Sequence, residues 1–137
     1  NSKKVMPTIF PRIINGEIPC YKVAEDENFL AFLDIRPLAK GHTLAIPKKE
    51  VDYIFNLDDD TLKELMVFSK KVARALEATI ECKRVGVLVI GTEVLHTHIH
   101  LIPFQKESQM SMMSPKEELT QEEMTEIARK VSAAVQL

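Results

Sequence analysis

Three of the four histidines in this chain, His96, His98 and His100, stand at alternate positions inside the stretch Val94-Leu95-His96-Thr97-His98-Ile99-His100-Leu101-Ile102-Pro103. Thr97, Ile99, Leu101 and Ile102 are β-branched or apolar and suit a pleated strand. Successive strand side chains point to opposite faces. The spacing therefore predicts one face carrying His96, His98 and His100, roughly 6–7 Å between neighbours, and another carrying Thr97, Ile99 and Leu101. Pro103 has no N–H to give a ladder, so it predicts the strand's end or an edge.

Three chemistries compete for such a row. The rings can be half-buried and simply satisfied, a fair default for one histidine and a poor one for three on the same parity. They can ligate a metal, because imidazole is the commonest metal side-chain ligand. Metallohydrolases with His-x-His usually bring an Asp or another His in the same segment, whereas Leu101 and Ile102 follow here. They can also serve nucleophilic catalysis, one imidazole attacking while its neighbours orient it and stabilise charge.

The rest of the chain bounds the setting. With 137 residues there is material for one ordinary core. The 18 basic and 20 acidic side chains balance to a net charge of −2, which argues against a nucleic-acid or anionic-membrane binder. No apolar run approaches the ~18 residues of a membrane span. The start, Asn1 to Val5 ahead of Met6, lacks the apolar core of a signal peptide. Cys20 and Cys82 lie far apart with no Cys-x-x-Cys, so neither a disulfide framework nor a zinc ribbon is expected. The cytoplasm is the simplest compartment.

Thr8 to Ile14 suggests one or two helical turns closed by Asn15-Gly16. Cys20–Glu25 and Asn28–Asp34 read as a hairpin around Glu25-Asp26-Glu27, and the all-apolar Phe29–Leu33 should be central or covered. His42–Pro47 makes a third strand after a loop marked by Pro37 and Gly41. Asp58 is a natural N-cap for a long helix, with Leu57 and Leu62 as its hydrophobic staple. Leu62, Leu65, Met66, Val72, Ala73, Leu76 and Ile80 form an apolar stripe expected to cover the sheet. Arg84–Ile90 is the fourth strand and the histidine stretch the fifth. Gln105–Ser114 reads as a polar, Met-rich, mobile link. Thr120-Gln121-Glu122-Glu123 is a capping box opening a C-terminal helix, with a staple from Leu119 to Met124. The sum is an α+β fold, five mostly antiparallel strands with one long helix and a C-terminal helix.

His96-Thr97-His98-Ile99-His100-Leu101-Ile102 matches the His-x-His-x-His-x-x signature of the histidine-triad (HIT) nucleotide-binding proteins, and the chain resembles their protein-kinase-C-inhibitor-like hydrolase branch. Thr8-Ile9-Phe10, Phe29 to Ile35 and Gly41 to Lys49 resemble the family's other segments in the expected order. The resemblance implies a single HIT domain over 1–137, with its core at about 7–104 and a link and helix over 105–137. It implies His98 as nucleophile, His96 and His100 as its partners, and His42 as the further histidine of the cluster. Ile9, Phe10, Ile13, Phe32 and Leu44 match the purine pocket and Asp34 the carboxylate that accepts from ribose hydroxyls. On the residues alone, core packing would be preferred for the first five, and Asp34 at a strand end could equally be a turn former.

Many members put Ser or Thr shortly before the signature, where this chain has Glu93, with Thr92 beside it as an alternative hydroxyl. The Asn common before the preceding Gly is missing from Val85–Ile90, and the chain has no Trp. The implied ligands are purine nucleotides of the AMP or GMP type, with no cofactor and no metal required. The implied activity is hydrolysis or transfer at the α-phosphate of nucleoside phosphoramidates or dinucleoside polyphosphates through a nucleotidyl-histidine. The implied assembly is a homodimer. A nucleotide-binding sensor with little turnover is the alternative from another class.

Overall fold

The computed structural model describes residues 9–137. Thr8 and the stretch around Met6 lie outside the described residues. Helix α1 (Phe10–Ile14) is followed by β1 (Lys22–Glu25), β2 (Phe29–Leu33), β3 (Thr43–Pro47), α2 (Asp59–Thr79), β4 (Arg84–Leu88), β5 (Ile99–Phe104) and α3 (Gln121–Ala134). Short 3₁₀ turns occupy Ile54–Asn56 and Glu107–Met110. The five strands form one antiparallel sheet in the order β1-β2-β3-β5-β4.

Local chemistry accounts for the punctuation. Gly16 takes φ +79° after α1, a backbone region open to glycine at little cost. In the β1–β2 turn the Asp26 carboxylate accepts from the N–H groups of Asn28 and Phe29 at 2.9 and 2.8 Å. Asp58 caps α2 by accepting from the Thr61 N–H, and Thr120 and Glu123 cap α3 reciprocally.

Pleat alternation sorts the sheet into two faces. Phe29, Ala31, Leu33, Ala45, Ile99 and Leu101 join the main core with α2 and α3. Leu30, Phe32, Leu44 and Ile46 face the other way and pack on Phe10 and Ile13 of α1. On that second face the register aligns Phe32 with Leu44, Leu44 with His100, and His100 with Leu88. As expected, β2 lies inside the sheet with all five residues buried.

Several expectations are corrected. Strand β5 begins at Ile99, so His100 alone of the triad is a strand residue, while His96 and His98 belong to the loop that enters it. Pro103, by contrast, falls where its missing N–H suggested, one residue from the end of β5, paired with Val85 and beyond the residues that pair with β3. On α2, Phe68 and Ala75 take core positions, whereas Met66 points outward, 43% exposed. The segment after β5 is also packed: Met110 and Met112 lie against the cluster of Leu38, Ala39 and Ile102.

Candidate active site

The loop that precedes β5 is built by backbone and side-chain hydrogen bonds instead of ladder pairing. Both the N–H and the hydroxyl of Thr97 donate to the Val51 carbonyl at 2.7 Å. His96 points inward, fully buried, and its Nε2–H donates to the Pro47 carbonyl at 2.8 Å. Its Nδ1 is buried without a hydrogen-bond partner among the described residues. With His96 anchored, its own carbonyl accepts from Nδ1–H of His98 at 2.7 Å. A neutral His98 ring so held carries its lone pair on Nε2, on the side of the cleft it lines. Phe10 braces it, edge-on to both His96 and His98 with centroids 5.6 and 5.4 Å away.

A second chain of bonds orders His42 and His100. The turn Leu38–His42 brings the Leu38 N–H to His42 Nδ1 at 3.0 Å. A backbone amide can only donate, so Nδ1 accepts and the proton of the neutral ring sits on Nε2. That Nε2–H donates to His100 Nδ1 at 2.9 Å, which leaves His100 with its own proton on Nε2. His100 stands beside His98, ring centroids 4.9 Å apart. Burial, then neighbouring charges, pushes His42 down to about 3 and His100 down to about 4. Burial also lowers His96. All three rings are thus neutral near pH 7.

Asp34, at the end of β2, accepts from the Arg36 N–H at 2.8 Å and lies 3.6 Å from His42 Nε2. With His42 neutral this is no ion pair. Burial raises the Asp34 carboxyl, partly offset by the Arg36 N–H. Ligand atoms of Asp34, His42 and His100 fall within 4.8 Å of one another, close enough for a metal. The protonation pattern opposes it. His42 would have to free Nε2, which means moving its proton to the Nδ1 that accepts from Leu38. As held, the three residues do not fit a resident ion.

These groups open on a cleft of about 560 Å³. Every residue expected at the nucleotide site lines it: Ile9, Phe10 and Ile13 from the first helix and its approach, Phe32, Asp34 and Leu44 from the sheet, and Thr92 and Glu93 from the turn after Gly91. His98 and His100 line it as well, whereas His42 and His96 stand behind them. The sequence reading did not single out Cys20, Arg36, Met112 or Lys116, which also border the cleft. For the last two no local signal exists, because the chain returns to the site only through tertiary folding.

The sequence profile of the HIT domain matches residues 15–107. The chain belongs to the HIT family. An uncharacterised HIT-like protein of Borreliella burgdorferi is 43% identical over 69% of this chain and 73% of its own length. The adenosine 5′-monophosphoramidase of Schizosaccharomyces pombe is 32% identical over 95% of this chain and 99% of its own. Among solved structures, a HIT-like protein from Bartonella henselae superposes with TM-score 0.82 at 32% identity, covering 93% of this chain and 96% of that one. A zinc-bound histidine-triad protein from Mycobacterium smegmatis superposes at 0.80 with 27% identity, covering 93% and 91%. The α+β HIT fold and the family therefore agree.

Proposed function

We propose that this HIT protein is a purine nucleotide-binding hydrolase or nucleotidyl transferase that acts at the α-phosphate through a nucleotidyl-histidine on His98. The observation that carries the reading is the bond from His98 Nδ1–H to the His96 carbonyl, which in the neutral ring leaves Nε2 as the lone-pair nitrogen of a side chain that lines the cleft. The named phosphoramidase relative supports a nucleotide hydrolase or transferase in general. Nucleoside phosphoramidates and dinucleoside polyphosphates are the substrates this chemistry suits.

The purine lies between Ile9, Phe10, Ile13, Phe32 and Leu44, and Asp34 accepts from the ribose hydroxyls. Nε2 of His98 attacks the α-phosphorus in line, and the bond from phosphorus to the leaving nitrogen or bridging oxygen breaks. Nε2–H of His100 donates to a phosphoryl oxygen as negative charge builds there. Thr92 and Glu93 stand at the turn that borders the leaving group. Water then attacks phosphorus, the bond to Nε2 breaks, and the nucleoside monophosphate leaves. His96 acts through its carbonyl, as a positioning residue. The protein works as a single HIT domain, in the cytoplasm; no helix among the described residues is long and apolar enough to cross a membrane.

Incubation with adenosine 5′-phosphoramidate should release AMP, and acid quenching should trap an adenylyl group on His98. His98→Asn should still bind AMP but lose turnover by several orders of magnitude. An adduct on another residue would overturn the assignment. AMP binding without any turnover in the parent protein would favour a nucleotide sensor instead.

A further inference from the structure

The segment after β5 folds back onto the cleft and carries a cation to it. Lys116 borders the cleft half-buried. Its ammonium donates to the carbonyls of Met112 and Ser114 at 2.8 and 3.2 Å, which fixes a long side chain that would otherwise sample many rotamers. The next residue ties the segment down, with the Glu117 N–H donating to the Pro37 carbonyl at 2.7 Å. Pro37 belongs to the loop that carries Asp34 and Arg36, so Lys116 and Arg36 are held against the same wall. Among the described residues no carboxylate stands within 4.0 Å of either cation.

Two cations with no direct ion pair, one of them immobilised and both close enough to Asp34 to act on its charge, make a poor wall for a neutral group and a good one for an anion. The phosphate attacked by His98 already has its own donor in His100. We propose that Lys116 and Arg36 form a receptor for a second phosphate on the bound nucleotide, which selects substrates carrying one. This deepens the reading of the cleft as a nucleotide site and rests on it. The charge of Lys116 also reaches Asp34 and His42, opposing the rise that burial gives the carboxyl and adding to the fall that burial gives the imidazole. Two sources could supply the second phosphate: the 5′-chain, as in ADP, or the ribose, as in adenosine 3′,5′-bisphosphate.

Calorimetric titration of the full chain with AMP, ADP and adenosine 3′,5′-bisphosphate distinguishes them. At least one doubly phosphorylated ligand should bind roughly tenfold tighter than AMP, the scale of one charge-assisted hydrogen bond. Tighter ADP assigns the receptor to the 5′-chain, and tighter bisphosphate assigns it to the ribose. Lys116→Met keeps the aliphatic stem and should erase the preference while AMP affinity changes far less. Lys116→Arg should restore most of it. Arg36→Gln, at an exposed position on the cleft rim, should reduce the preference without altering the melting temperature. AMP bound with no gain from either second phosphate would overturn this inference alone. Equal loss of all three ligands in Lys116→Met would also overturn it, reducing Lys116 to a cap for two carbonyls. Failure to bind AMP would overturn the nucleotide reading and the receptor with it.

Discussion

A ring nitrogen that accepts from a backbone amide cannot hold a proton of its own, and this makes His42 the residue that sets protonation in the cluster. His42→Leu would leave the Leu38 N–H and His100 Nδ1 without partners. The expected cost is on the order of 1–3 kcal/mol for each buried group, read as a lowered urea midpoint. His42→Gln can accept from Leu38 and donate to His100, so it should lose much less. The same ring makes stability depend on pH. Its value in the fold is about 3, and that of His100 about 4, whereas both unfolded rings titrate near ~6.5. Between those values the unfolded chain binds more protons, so stability is full above pH ~6.5 and falls progressively towards pH ~3, the share from His100 levelling off near ~4. Urea midpoints across that range should decline in the wild type and more gently in His42→Gln. A flat wild-type profile would contradict the buried, neutral cluster. Alternate spacing alone identified the three residues but suggested side-chain neighbours all along the row. The group that holds the His98 ring is a main-chain carbonyl, which residue types do not reveal.

Gly41 joins the loop under His42 to β3, and it illustrates how tightly the elements meet. Its φ is +89°, and a Cβ there would stand 3.1 Å from Ile80 Cγ1 and 3.2 Å from Pro103 Cγ. Gly41→Ala should therefore cost more than the roughly 1–3 kcal/mol of a left-handed residue alone, because Ile80 at the end of α2 and Pro103 in β5 must also give way. Differential scanning calorimetry should show the drop in melting temperature, and an unchanged value would refute this close approach. Element types and order were legible from capping residues and apolar runs: Asp58 and Thr120 cap where their neighbours suggested. The face of α2 was not fully legible, because spacings of three and four from Leu62 admit either Leu65, Phe68 and Val72 or Met66 and Ala73. Both sets are apolar, and only the sheet beneath selects the first, with Leu62 packed beside it. The Met-rich stretch after β5 lacked any periodicity, since Met110 and Met112 answer to Leu38 and Ile102 across the fold instead of to one another.

The sheet ends in two edges of different character. On β1, Lys22 and Glu25 pair with each other at 2.6 Å, the kind of charged edge that resists further pairing. On β4, Val87 is 53% exposed and all five residues are only partly buried or exposed. We propose a two-fold dimer in which β4 edges meet and two sheets become one. Sedimentation at micromolar concentration should show a dimer, and Val87→Lys should shift it to monomer; a monomeric wild type would rule this out. The order of strands that leaves β4 outermost depends on long-range pairing and could not be read along the chain. The cleft wall has its own consequence at this scale. The block matched by the HIT profile ends at residue 107 and begins at residue 15, so Phe10 and Ile13 precede it while Met112 and Lys116 follow it. Part of the cleft wall is therefore supplied from outside the matched block, while Phe32, Asp34, Arg36 and Leu44 supply the rest from within it. A graft that exchanged only the two flanks between relatives would change that share of the wall and leave the His98 loop and its supports as they are.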